Sequence, residues 1–142
     1  MSFRFKKIVS LLTVVLIAIL LLAACGDTAQ SKANVTLGVF TIDMPSKLKA
    51  GQITFHVMNS DSSDTHDFVI FKTDLAPGKL PLDSSNNVDE TAQGLTKIDE
   101  IKDMAPGDVQ DLTVALDPGN YVAICDLPGH YLAGMFAGFT VQ

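Results

Sequence analysis

An antiparallel β-sandwich of seven or eight short strands is the fold class that this sequence predicts. Three observations predict it. From residue 35 the chain breaks into short runs of apolar-polar alternation, the period of a half-buried strand. Turn chemistry separates those runs, at Pro45, Gly51, Pro77-Gly78, Pro106-Gly107 and Pro118-Gly119. The 118 residues from Cys25 onward suit one domain around one core, with no Trp and no internal repeat.

Residues 1–25 read as a leader. Arg4, Lys6 and Lys7 make a basic start, and residues 8–22 make an apolar run of fifteen, short for a membrane span but suited to a signal peptide. The run ends Leu22-Ala23-Ala24-Cys25, which looks like a bacterial lipobox. That resemblance implies an acylated Cys25 as the first mature residue, and hence an extracytoplasmic protein held to the membrane by lipid. Residues 26–34 are small and polar and read as a flexible tether. The folded domain is expected over residues 35–142.

Along that domain, residues 35–42 alternate imperfectly and give the first strand. Residues 52–59 give the second, with Ile53, Phe55 and Val57 on one side and Thr54, His56 and Met58 on the other. Residues 60–65 form a polar turn, and residues 66–71 (His-Asp-Phe-Val-Ile-Phe) are apolar enough for a central strand. A polar insert spans residues 73–96, with a short helix expected around residues 88–93. Residues 98–101 suggest a short strand, residues 109–116 alternate cleanly, and residues 121–125 and 136–141 close the domain.

The chemistry is concentrated in residues 119–136. There Cys125, His130 and Met135 follow one another with four residues in each gap. Thiolate and thioether are soft donors and imidazole is borderline, a set suited to copper in both oxidation states. Pro128-Gly129 turns the chain between the first two, and Gly134 frees the backbone before the third. A trigonal copper site with an axial Met needs one more His. His56 and His66 compete for that place. His56 sits mid-strand on the polar side, whereas His66 stands where a polar loop enters an apolar strand.

These residues resemble the ligand loop of the cupredoxins, in the branch that includes rusticyanin, auracyanin and sulfocyanin. Thr65-His66-Asp67-Phe68-Val69-Ile70 is similar to the strand that opens with the family's first ligand His. The resemblance implies a Greek-key β-sandwich binding one copper ion through His66, Cys125, His130 and Met135. It also implies electron passage at the edge of His130, within an apolar patch of Leu127, Pro128, Tyr131, Leu132, Ala133 and Phe136. One departure is visible. The family commonly has Asn after the first His and Ser or Thr after the Cys, where this chain has Asp67 and Asp126. Both facing inward would place two carboxylates side by side.

Cysteine usage agrees with this reading. If Cys25 carries lipid, Cys125 has no disulfide partner and is free to be a ligand. Without the leader's three cations, 7 lysines face 16 carboxylates, a net charge of −9 that disfavours nucleic acid and favours a basic partner. Four protein ligands leave no open position for substrate, which argues against an enzyme. The expectation is a monomeric, membrane-tethered one-electron carrier that docks briefly with a redox protein. The alternative is an extracytoplasmic copper-binding protein for storage, delivery or resistance.

Overall fold

Residues 30–142 are described by a computed structural model, in which nine strands pack as two sheets. The leader, Cys25 and the first part of the tether lie outside the described residues. The strands are β1 (Ser31–Gly38), β2 (Thr41–Asp43), β3 (Lys47–Leu48), β4 (Gly51–Asn59), β5 (His66–Lys72), β6 (Thr96–Met104), β7 (Val109–Leu116), β8 (Gly119–Ile124) and β9 (Phe136–Val141). One sheet has the order β2-β1-β4-β7 and the other β3-β9-β8-β5-β6.

The predicted sandwich is present, but its sheets are mixed rather than wholly antiparallel. After β2 the chain crosses to lay β3 parallel to β9, then returns to run β4 parallel to β1. Other details also differ from expectation, among them β6, which runs Thr96–Met104 rather than over residues 98–101. Strand β1 begins at Ser31, inside the segment expected to be tether, because Ala33 and Val35 alternate inward and the strand finds a partner in β4. The single strand expected over residues 35–42 is a hairpin instead. Its register pairs Gly38 with Thr41 and leaves Val39 and Phe40 as the tip. The imperfect alternation had this cause. No helix forms at residues 88–93. The insert holds a single 3₁₀ turn, Pro77–Lys79, and a bridge between Leu82 and Val88.

Alternation decides what is buried. From β4 come Ile53, Phe55 and Val57, and from β7 Leu112, Val114 and Leu116; all six face Phe68 and Ile70 of β5 and Phe139 of β9 across the sandwich. Strand β5 is buried on both faces because the insert lays Leu80 and Val88 over its outer side, against Val69 and Phe71. That explains its continuous apolar run. The insert is thus a cover for the second sheet, not a free loop.

Strand directions bring four connections to one end of the sandwich: the β1–β2 tip, the β4–β5 loop, the β6–β7 turn and the β8–β9 loop. Asn59 joins two of these connections, the β4–β5 loop and the start of the β6–β7 turn. Its amide donates to the carbonyls of Asp64 and Met104, and its side-chain oxygen accepts from the Asp61 N–H, each at 2.9 Å. The floor of that end is therefore fixed by hydrogen bonds to a side chain that is itself wholly buried.

Candidate metal centre

His66 opens β5 and Cys125 follows the last residue of β8, so a strand end presents each side chain at the same end of the second sheet. His130 and Met135 come from the loop between β8 and β9. That loop is built of tight turns: His130 N–H donates to Leu127 C=O, Gly134 N–H to Tyr131 C=O, and Met135 N–H to His130 C=O, each at 3.0 Å. Cys125 N–H donates to Met135 C=O at 3.1 Å, which brings the first and last of the three residues together. Gly129 at φ 84° and Gly134 at φ 105° supply the left-handed backbone of these turns. A Cβ at either would meet nothing within 4 Å, so the requirement is conformational, not steric.

Donor atoms of His66, Cys125 and His130 all lie within 4.8 Å of one another. Nδ1 of His130 is 3.4 Å from Cys125 Sγ and 3.2 Å from His66 Nδ1, and His66 Nδ1 is 4.0 Å from the sulfur. Met135 is fully buried in the core cluster that contains Cys125. Within this set His66, Cys125 and Met135 are at 0% exposure, and only His130 reaches solvent. His56 takes no part. It lies on the outer face of the first sheet, hydrogen-bonded to Asp111 of the neighbouring strand. Of the two competing histidines, the structure brings His66 to the cluster.

The surroundings prepare these atoms to bind a cation. Burial pushes the Cys125 thiol up, while N–H donors from Asp67 (at 3.3 Å) and Leu127 pull it down. A bound cation would complete the second trend and hold the thiolate. Burial pushes the His130 imidazole below its usual range, and the neighbouring His66 ring adds to the effect. Its neutral, ligating form is thereby favoured.

A carboxylate that sequence reasoning passed over completes the environment of His66. Asp61 Oδ2 is 3.0 Å from His66 Nε2, with both side chains at 1% exposure or less. Asp61 is held ionised by the N–H of Ser63, and further by His66 and Asp64; its pKa falls to about 2. An ionised carboxylate only accepts, so Nε2 carries the hydrogen and Nδ1 keeps its lone pair toward the cluster. The available signal was an Asp five residues before a candidate ligand, inside a loop too polar to single it out.

Asp67 and Asp126 divide their roles. Asp67 Oδ1 accepts the Asp103 N–H at 2.8 Å, where β6 makes an irregular step past β5. Asp126 has a buried Oδ1 with no partner. Burial pushes its carboxyl up to about 6, the charge of Glu90 adds to this, and Asp67 contributes less than either. The expected pressure on one carboxyl is present, but desolvation is its main cause.

The apolar rim around His130 differs in part from the predicted one. Pro128, Leu132 and Ala133 are exposed and Leu127 is half-buried. Tyr131 is buried, its hydroxyl donating to Pro77 C=O at 2.8 Å and accepting from Leu80 N–H at 2.9 Å. Phe136 packs beside Tyr131 and over Gly78, beneath the insert. Both therefore serve the cover of the second sheet because their side chains point to its outer face. A place on the rim goes instead to Phe40 at the β1–β2 tip, whose ring stands edge-on to His130 at 5.1 Å. Phe40 sits at φ 50°, an uncommon conformation for a side chain with a Cβ. The resemblance, strongest in the ligand loop and around His66, carried no signal for Phe40.

No protein-family profile and no curated protein sequence matches the chain. Solved structures do match. Dithionite-reduced auracyanin from the photosynthetic bacterium Roseiflexus castenholzii superposes with a TM-score of 0.55 at 24% identity, covering 82% of this chain and 99% of that one. Auracyanin B gives 0.58 at 20% identity, covering 82% and 91%. Rusticyanin from Thiobacillus ferrooxidans gives 0.61 at 13% identity, covering 82% and 79%. At these identities the likeness establishes the fold, which is the one these three chains share.

Proposed function

We propose that this chain, which has the cupredoxin fold, is a type 1 copper protein that carries single electrons at the extracytoplasmic face of a membrane, to which Cys25 tethers it. One observation carries the copper reading: a buried thiol and two imidazole Nδ1 atoms converge within 4.8 Å, with a buried Met closing the same loop. Two His, one Cys and an axial Met form the donor set of blue-copper electron-transfer sites. The residues fit the metal, which would supply one-electron chemistry between its two oxidation states.

What the protein supplies is constancy and access. His66, Cys125 and Met135 are sealed from water, and the backbone of their loop is closed on itself by hydrogen bonds. Ligands held in this way keep one arrangement through oxidation and reduction. Access is through His130 alone, whose exposed edge lies among Phe40, Pro128, Leu132 and Ala133. An apolar contact there suits brief docking, and four protein donors leave no position for a substrate. This is the support for a carrier rather than an enzyme.

Loading the protein with Cu(II) tests the site. An intense visible band from thiolate-to-copper charge transfer is expected. Cys125→Ser removes it, His66→Ala severely perturbs it, and His56→Ala leaves it unchanged. A band lost in His56→Ala but kept in His66→Ala would falsify the ligand assignment. For the tether, the mature N-terminus is decisive: mass spectrometry should find an acylated Cys25, and an unmodified N-terminus elsewhere ends that part of the reading.

A further inference from the structure

Charge on this domain is divided between its two ends. At the metal end lie Asp64, Asp103, Asp108 and Asp126, with Lys102 the one nearby ammonium among the described residues, 3.3 Å from Glu100. The opposite end gathers Lys32 at the second residue of β1, Lys47 at the start of β3 and Lys49 just after it, and Lys72 at the end of β5. Lys47, Lys49 and Lys32 are exposed, and the stem of Lys72 crosses Gly119 to place its ammonium 5.6 Å from the centre of the Tyr121 ring. Asp74, just after β5, and Asp117, between β7 and β8, are carboxylates at the same end. Lys97, a fifth ammonium near that end, is already paired with Glu90 and Glu100. A domain with 7 lysines against 15 carboxylates over residues 30–142 thus has one end where cations predominate.

The chain enters the domain at that same end. Strand β1 starts at Ser31 and runs toward the metal end, reaching it at Gly38. Five residues separate Cys25 from Ser31, so a lipid on Cys25 could lie no farther than about 20 Å from the start of β1. We infer that the end bearing Lys32, Lys47, Lys49 and Lys72 is a docking surface for anionic lipid headgroups, which turns the metal centre away from the membrane. The inference rests on the lipid anchor proposed above.

Length scales favour this orientation. The potential of an anionic leaflet decays within a Debye length, about 8 Å at physiological ionic strength. The eight residues of β1 span about 26 Å. Carboxylates at the metal end are therefore screened from the headgroups when the cationic end is down. Inverting the domain would press Asp64, Asp103 and Asp108 onto a surface of their own sign.

Lysine footprinting of the full-length, lipidated protein reads the orientation directly. The protein is reconstituted in phosphatidylcholine vesicles with and without phosphatidylglycerol, labelled briefly with an acylating reagent and mapped by mass spectrometry. Lys102, exposed and near the metal end, and Lys79, exposed on the insert, are internal references. On phosphatidylglycerol vesicles Lys32, Lys47 and Lys49 should lose about threefold or more of their reactivity relative to these two. The protection should vanish in salt near 1 M, where the Debye length is about 3 Å. Protection of Lys102 or Lys79 equal to that of the three, or one pattern on both vesicle types, overturns the docking surface and leaves the anchor standing. An intact mass showing no lipid on the mature chain overturns the anchor, and the docking surface with it.

Discussion

His66 shows how much of a metal site is decided by a residue that never touches the metal. Its ring is wholly buried, and the single acceptor for its Nε2 hydrogen is Asp61. Outer partners of this kind orient a ligand and raise its basicity, and their removal commonly costs about 10–100-fold in metal affinity. Asp61→Ala is expected to lower Cu(II) affinity by about that factor while leaving the fold intact, as competition with a Cu(II) chelator would measure. The metal-free protein gives a second readout. The Asp61 pKa falls from 3.8 to about 2 on folding, so its contribution to stability is complete above pH 3.8 and is lost as pH falls through about 2. The melting-temperature difference between the metal-free native and Asp61→Asn domains should be largest at pH 5 and close toward pH 2. A difference constant across that range would show that Asp61 does not gain its ionised state from the fold. The ligands themselves were legible because soft donors at equal spacing leave a pattern in the chain. Asp61 was not, since its role depends on a distance across a loop that no spacing encodes.

Among the elements, the insert at residues 73–96 was the least legible in the sequence and proves to be part of the core. Alternation gives no information about a segment whose cluster contacts are scattered, with Leu80 and Val88 buried and Leu95 packed against them. The helix expected at residues 88–93 fails for the same reason, because one buried residue there cannot anchor a helical face. The hairpin tip at Val39–Phe40 was hidden because the imperfect alternation of residues 35–42 reads as one strand. Strands β4 and β7, by contrast, follow the predicted alternation because each packs one face, and β5 follows its predicted apolar run because it packs both. The insert is joined to the ligand loop by one side chain, Tyr131, which follows His130 directly. Its hydroxyl satisfies Leu80 N–H and Pro77 C=O together. Tyr131→Phe leaves both groups unpaired in a buried setting and should cost about 1–3 kcal/mol in denaturant unfolding. Phe136→Leu, which keeps both hydrogen bonds, serves as a packing control and should cost less. Equal losses would mean that packing alone seats the insert.

For the molecule as a whole, the question is whether copper stays while electrons move or is itself the cargo. A carrier must retain the metal through many cycles, so its ligands should be sealed and its access limited to an edge. The domain has this form: three donors at 0% exposure, a loop closed by its own backbone, and one half-buried imidazole at the surface. A delivery protein must release Cu(I), usually by exchanging soft ligands with a partner along a run of Met or His. Here Met44 and Met104 contribute to the core, Met58 is isolated on the outer face of β4, and His56 is bound to Asp111. In the proposed reading the redox partner is basic, matching Asp64 and Asp67 near His130, and its association should slow about tenfold or more between low and high salt. Stopped-flow oxidation of the reduced domain by a small basic redox protein would measure that dependence, and the same sample can be challenged with a moderate Cu(I) chelator. Fast, salt-sensitive exchange with Cu(I) retained is the expected result. Slow exchange together with ready loss of Cu(I) would reverse the assignment, because a centre that yields its metal more easily than its electron is built for transfer of the ion.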